Sequence, residues 1–269
     1  MQSGVTLLRE ILSAAAGEAG MSVWWLGQHG FVIRQGSVLL WLDPFLTPME
    51  SRRVPPLLSP EDIPSGSIIF GSHDHADHID RPAWRCIADR GTDVTFVVPE
   101  IHRESILADT GLHEERLIGL DDMVQKRVGA VLVTGIAAAH EFLERDRATG
   151  MHPFLGFVVE TGGVVFYHSG DTCIYDGLQA KLRKWRYDAV FLPINGRDAR
   201  RLRSGCIGNM TYQEAADLAG SLGASVTVPG HFDMFEGNRE DPELFADYMA
   251  VKYPARRVVV PDYGRRIDI

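Results

Sequence analysis

Cysteine is scarce in this 269-residue chain, where Cys86, Cys173 and Cys206 stand far apart. So few and so scattered a set excludes a disulfide framework and a cysteine-based zinc knuckle, and points to a reducing, cytoplasmic compartment. Long apolar runs are also missing, so no transmembrane helix and no membrane partner are predicted. Residues 5–16 are apolar-rich, but Arg9 and Glu10 interrupt them and no basic leader precedes them, so a secretory signal is not expected. Leu8, Ile11, Leu12 and Ala15 instead fall at helical spacing, predicting an amphipathic helix that ends near Gly17. Excess positive charge is absent too, since 27 Lys and Arg against 36 Asp and Glu leave a net charge of −9. Binding along a phosphate backbone needs clustered cations, so nucleic acid is not an expected partner. A G-x-S-x-G elbow, the turn that would present a serine nucleophile, does not occur.

What is present is an ordinary globular composition, 45% hydrophobic and 23% charged. Apolar runs at Val23–Leu26, Phe31–Arg34 and Val38–Leu42, punctuated by Gly27, Gly30 and Gly36, predict an antiparallel meander. Strands at Ile68–Phe70, Val94–Val98, Val131–Ile136, Phe157–Val159, Val164–Tyr167, Ala189–Leu192, Val226–Val228 and Val258–Val260 follow. Helices near Pro82–Ala88, from Glu100 to Thr110 and near Leu178–Trp185 lie between them. Thr211 and Glu214 form a capping box for a helix ended by Gly223, and Asp241-Pro242 opens another that runs to about Tyr253. Meander first, helices between later strands, and no linker-like stretch predict an α/β chain of one domain spanning 1–269, with two packed sheets flanked by helices.

The densest chemistry is the run Ser72-His73-Asp74-His75-Ala76-Asp77-His78, directly after the predicted strand Ile68–Phe70. Alternation in an extended segment would point His73 and His75 to one side and aim both at one ion. A turn towards the helix at Pro82 would let Asp77 and His78 serve a second. A metal site draws ligands from several segments, and His140, Asp171 and His231 each stand just beyond an apolar strand, at a sheet rim. Imidazoles and carboxylates without thiolate suit zinc, manganese or iron. Cys173, two residues after Asp171, reads as a small buried thiol.

These segments resemble the metallo-β-lactamase superfamily, whose HxHxDH motif stands here as His73-x-His75-x-Asp77-His78. In particular they resemble the L-ascorbate-6-phosphate lactonase family, through Trp24-Trp25-Leu26-Gly27-Gln28, Leu42-Asp43-Pro44-Phe45, Tyr167-His168-Ser169-Gly170-Asp171-Thr172, Asn209-Met210-Thr211 and Pro229-Gly230-His231. The resemblance implies a four-layer αββα sandwich. It also implies two divalent metal ions, with manganese favoured. It assigns His73, His75 and His140 to one ion, Asp77, His78 and His231 to the other, and Asp171 to both. His29, in the turn between Gly27 and Gly30, becomes a candidate substrate contact. His168, an odd number of residues from Asp171, is expected to face away, and His102 and His113 to be exposed. Asp43 and Asp80 either orient imidazoles or cap turns.

Two ions roughly 3.5–4 Å apart can share a hydroxide and polarise the bond it attacks. Asp77 is the candidate catalytic residue, relaying the proton of the attacking water. Arg197, Arg200, Arg201 and Arg203 crowd the predicted loop Asn195–Gly208, and guanidinium groups favour carboxylate or phosphate. Asn195, Arg197 and Asn209 are therefore the candidate substrate contacts, Asn209 because it precedes a helix N-terminus. The expected activity is hydrolysis of a small anionic lactone, such as a sugar-phosphate lactone. A phosphodiesterase and a non-catalytic metal-binding scaffold are the alternatives, and a homo-oligomer is left open.

Overall fold

In the computed structural model, which describes residues 1–14 and 20–269, strand alternation divides one sheet's side chains between two apolar layers. From β1 (Ser22–Gly27), β2 (Gly30–Gln35), β3 (Val38–Leu42), β4 (Ile68–Phe70) and β5 (Thr95–Pro99), one layer takes Val23, Trp25, Phe31, Ile33, Leu40, Leu42, Phe70 and Val97. The other takes Trp24, Val32, Trp41, Ile69 and Phe96. A sheet with both faces apolar must be covered on both sides.

Helices α1 (Gly4–Ser13), α2 (Arg81–Asp89) and α3 (Arg103–Thr110) cover the outer side with Leu7, Ile11, Trp84, Ile87 and Ile106. A second sheet covers the inner side. It holds β7 (Gln125–Val128), β8 (Val131–Ala137), β11 (Leu155–Thr161), β12 (Val164–His168), β13 (Ala189–Pro193), β14 (Val226–Gly230) and β15 (Arg257–Val258). Phe157, Phe166 and Phe191 of this sheet join the inner layer, and each fully buried aromatic contributes about 1.5–3 kcal/mol. Outside it lie α4 (Leu178–Leu182), α6 (Tyr212–Leu222) and α7 (Pro242–Lys252), giving the expected αββα sandwich.

The first sheet runs β16-β1-β2-β3-β4-β5-β6, with β6 at Leu117–Leu120 and β16 at Arg266–Asp268, and the second β15-β14-β13-β12-β11-β8-β7. Strands β3 to β6 pair in parallel, as do β12 to β15. Parallel strands discharge their following loops at one edge, and ligand sites collect beyond those carboxyl ends. Asp43 follows β3, the His73–His78 run follows β4, Asp171 follows β12 and His231 follows β14. The Leu155 amide donates to the Ser72 carbonyl at 3.0 Å, tying this edge of the two sheets together.

Several elements depart from the sequence pattern. Helix α1 stops at Ser13, while Ala15 and Gly17 lie outside the described residues. Strands β6, β7 and β16, and the short pair β9 (Ala139–His140) and β10 (Phe142–Leu143), are additional. The last predicted strand shortens to Arg257–Val258, and its continuation meets Pro261, which has no N–H for a ladder. The arginine-rich loop holds α5 (Ala199–Arg203), because the Asp198 carboxylate accepts the amides of Arg200 and Arg201 and nucleates the turn. Among the described residues no helix is long and apolar enough to cross a membrane.

Candidate metal centre

The His73–His78 segment is a chain of bends and turns, not a strand extension. Amides of His75 and His78 donate to the carbonyls of His73 and His75 at 2.9 and 3.0 Å, and Asp80 then caps α2 by accepting the Ala83 amide. Main-chain curvature, not alternation, therefore brings His73 and His75 together, with Nε2 and Nδ1 2.9 Å apart. Gly71 allows it, since a Cβ there would lie 2.5 Å from Ile79 Cγ1. Gly170, at φ 56, is a second requirement, because its Cβ would press on Ser72 at 2.6 Å. Among the described residues, five non-glycine residues have positive φ, and four of them, Gln28, Asp43, Glu141 and His231, surround this loop. Such strain persists only where the surroundings over-determine it, and it concentrates at functional sites.

Seven side chains meet here in three groups whose donor atoms lie within 4.8 Å of one another: His73, His75 and His140; Asp77, His78 and His231; and His73, His78 and Asp171. Asp171 thus stands between the two triads. His231 Nε2 is 3.0 Å from Asp171 Oδ2 and 4.0 Å from Asp77 Oδ2, and His78 Nε2 is 3.6 Å from Asp77 Oδ2. The donors fit divalent ions by a direct criterion. His78 Nε2 and Asp171 Oδ1 are buried, face each other at 3.5 Å and have no hydrogen-bond partner. Leaving such groups unsatisfied costs about 1–3 kcal/mol each, and a coordinated cation removes that cost.

Burial, with the neighbouring His78 charge, holds His73 well below the usual imidazole range, and burial lowers His140 to about 4. Both rings are neutral at pH 7, the state a ligand needs. For His78 burial pulls the same way, but Asp171, Asp77 and Asp43 outweigh it and raise the ring to about 10. An ion held by His78 would have to displace a proton from it.

Asp43 organises the floor of the site. Fully buried, it accepts from the Ser72 amide (2.8 Å), Ser72 Oγ (2.7 Å), His78 Nδ1 (2.7 Å) and His168 Nε2 (3.0 Å). Burial would raise its pKa, yet His78 and His168 hold it well below the usual carboxylate range. Its contact fixes the His78 ring with Nε2 turned to the cluster. Asp80 does the other job considered for this pair, since its carboxylate accepts from the amides of Leu46, Thr47 and Ala83 and caps turns.

Of the remaining histidines, His168 lies behind the site on Asp43, although the chain leaves the strand after His168 and turns at Gly170, so strand alternation does not set its direction relative to Asp171. His29 does not contact a substrate space, being fully buried and stacked on His168 at 4.4 Å. His113 is exposed, but His102 is half-buried and bonded to the Pro153 carbonyl. The Cys173 thiol is buried beside the Gly208 carbonyl.

A cavity of about 200 Å³ opens beside the centre, lined by Glu141, Arg197, Asp198, Leu202, Cys206, Ile207 and Gly208. Its link to the centre is Glu141, which directly follows His140, and none of the seven ligand-type side chains lines it. Arg197 lines this space while its guanidinium pairs with both Glu214 carboxylate oxygens at 2.6 and 2.7 Å. Asn195 and Asn209, the other expected substrate contacts, are fully buried, with Asn209 Nδ2 donating to Asn195 Oδ1 at 3.1 Å, Asn195 Nδ2 donating to Asn238 Oδ1 at 2.8 Å, and Asn209 Oδ1 without a partner. The α6 N-terminus is likewise filled by its own Thr211–Glu214 capping box. Ser72, which opens the run to His78, is a site residue to which the sequence pattern assigns no role. Its hydroxyl donates to Asp43, and only the position before His73 hinted at it.

A family model described as "Beta-lactamase superfamily domain" matches residues 40–232. A Methanospirillum hungatei protein named UPF0173 metal-dependent hydrolase is 28% identical over 233 residues, 84% of this chain and 89% of its own length. An Archaeoglobus fulgidus protein of the same name is 28% identical over 251 residues, 92% and 99% of the two chains. Among solved structures, Igni18, described as a novel metallo hydrolase from Ignicoccus hospitalis, has a TM-score of 0.69 at 19% identity. That match covers 93% of this chain and 99% of Igni18, and it is a likeness of fold.

Proposed function

The chain belongs to the family described as Beta-lactamase superfamily domain, and from that premise we propose that this metal-dependent hydrolase opens a small anionic lactone, such as a sugar-phosphate lactone. The observation that carries the hydrolytic reading is the gathering of seven ligand-type side chains in three overlapping groups, with His78 Nε2 and Asp171 Oδ1 buried among them and unpartnered. His73, His75 and His140 would hold one ion, Asp77, His78 and His231 another, and Asp171 would serve both. Manganese or zinc there, or iron through the same donors, supplies Lewis-acid polarisation of the scissile carbonyl and makes water acidic enough to ionise near neutral pH.

The protein's own groups complete the chemistry. Asp77, whose side chain is 19% exposed against 4% for Asp171, is the carboxylate open to the reaction space. It takes a proton from the attacking water and returns one to the leaving alkoxide. The roughly 200 Å³ cavity favours a small substrate, and Arg197 on its wall favours a carboxylate or phosphate group.

The test is a hydrolysis screen of the manganese- or zinc-loaded protein on lactones, phosphorylated sugar lactones included, with bis-p-nitrophenyl phosphate alongside. Lactone opening supports the proposal. Turnover of the phosphodiester alone replaces it with a phosphodiesterase, and silence on both with metal bound leaves a binding scaffold. On an anionic lactone, Arg197→Ala should raise KM about tenfold, the loss of one charge-assisted contact, with kcat within about twofold. Glu214→Gln separates the roles, because it removes the charge of the same ion pair but keeps the arginine. Equal KM defects in both variants would mean that Arg197 only supports α6.

A further inference from the structure

Gln28 belongs to neither triad, yet its carboxamide reaches into one of them. The side chain is 2% exposed, and its backbone sits at φ 52, a left-handed conformation that costs a non-glycine residue roughly 1–2 kcal/mol. Both ends of the residue are held. Its carbonyl accepts from Trp25 Nε1 at 3.0 Å and from the His231 amide at 2.7 Å. Its Nε2 donates to Asp77 Oδ2 at 2.7 Å and lies 3.0 Å from His231 Nε2. One residue thereby fixes the main chain of one candidate ligand and the side chain of another.

The two Nε2 contacts differ in what an ion would do to them. An imidazole nitrogen that gives its lone pair to a cation cannot also accept an N–H, so the contact to His231 is exclusive with coordination. The contact to Asp77 is not, because a carboxylate oxygen carries more than one lone pair: Oδ2, which also faces His78 Nε2 at 3.6 Å and His231 Nε2 at 4.0 Å, can accept the amide proton and still offer a pair to an ion. The strained backbone is therefore spent on a donor that holds Asp77 whether or not the triad is loaded.

We propose that Gln28 is a positioning residue for the Asp77–His78–His231 triad, setting its affinity for a divalent ion by orienting Asp77 and anchoring His231, without influence on the His73–His75–His140 triad. The proposal rests on the two-ion reading above. Its specificity follows from the contacts, since the Gln28 side chain bonds to Asp77 and His231 and to no member of the other triad.

The experiment titrates metal-free, full-length protein with Co²⁺, followed by visible absorption and calorimetry, in the wild type, Gln28→Ala and Gln28→Met. Methionine retains most of the side-chain volume without the N–H, so it covers the case in which alanine leaves a cavity that impairs folding. The expected result is two binding events in the wild type. In both variants one of them weakens about tenfold to hundredfold, as for the loss of a group orienting a ligand, and the other is unchanged. The unfolding midpoint of the metal-free Gln28→Met protein should stay near that of the wild type. Two wild-type-like events in both variants overturn the proposal alone. Equal weakening of both events, with a lowered midpoint in metal-free Gln28→Met, also overturns it and assigns Gln28 a purely structural role. No binding by the wild type overturns the two-ion reading together with the proposal.

Discussion

Asp77→Asn in the metal-loaded protein is expected to lower kcat about 10²–10⁴-fold, the range for loss of a positioned acid–base group. Asparagine keeps the shape of the side chain and can still accept from Gln28 Nε2, the contact made at 2.7 Å by Asp77 Oδ2. It cannot take up a proton. Because Asp77 also lies in a triad with His78 and His231, metal content has to be measured on the same sample. Loss of turnover with both ions retained assigns the proton role. Loss of one ion together with turnover assigns ligation, and retained turnover removes Asp77 from the chemistry.

The largest effect on stability is expected at Asp43. Asp43→Ala withdraws one acceptor from four donors, the Ser72 amide, Ser72 Oγ, His78 Nδ1 and His168 Nε2, in a site with no access to water. Removing one partner of a buried charged pair costs about 3–5 kcal/mol. At about 2–4 °C per kcal/mol for a chain of this size, the unfolding midpoint should drop by the order of 10 °C. The sign of its pH dependence follows from the lowered pKa of Asp43. The stabilisation is present in full above the unfolded value, 3.8, and is lost as pH falls towards the folded one. Thermal unfolding of wild type and Asp43→Ala should therefore differ most near neutral pH and converge below about pH 4. A gap that does not change between pH 7 and pH 3 would contradict the ionised role of Asp43.

Period-two alternation carried most of the fold. In β1, Trp24 and Trp25 fall in different apolar layers, which is what a strand buried on both faces requires. The Thr211–Glu214 box and Gly223 marked α6 because capping is local chemistry, readable from four residues. Strand β16 was not legible for the opposite reason. Arg266–Asp268 is three residues long, and its identity as a strand comes from pairing with Ser22–Trp24 at the other end of the chain. Helix α5 hid behind its arginines, although the cap at Asp198 was there to be read.

At the centre, residue types and their places after strands were enough to single out seven side chains, but not the way they meet. His73 and His75 approach through a bend, and Arg197 has a bidentate partner in Glu214 that lies 17 residues away in sequence. Gln28 stood in the segment Trp24–Gln28 but without a role, because that role depends on a left-handed turn whose carbonyl accepts the His231 amide.

The most direct test of the centre is elemental analysis of the full-length protein purified in the presence of Mn²⁺ or Zn²⁺ without chelator, compared with His73→Ala/His75→Ala and Asp77→Ala/His231→Ala. Two ions per chain are expected in the wild type and one in each double variant, with hydrolysis lost in both. Metal contents that are equal in all three proteins, or absent from the wild type, would contradict a two-ion centre.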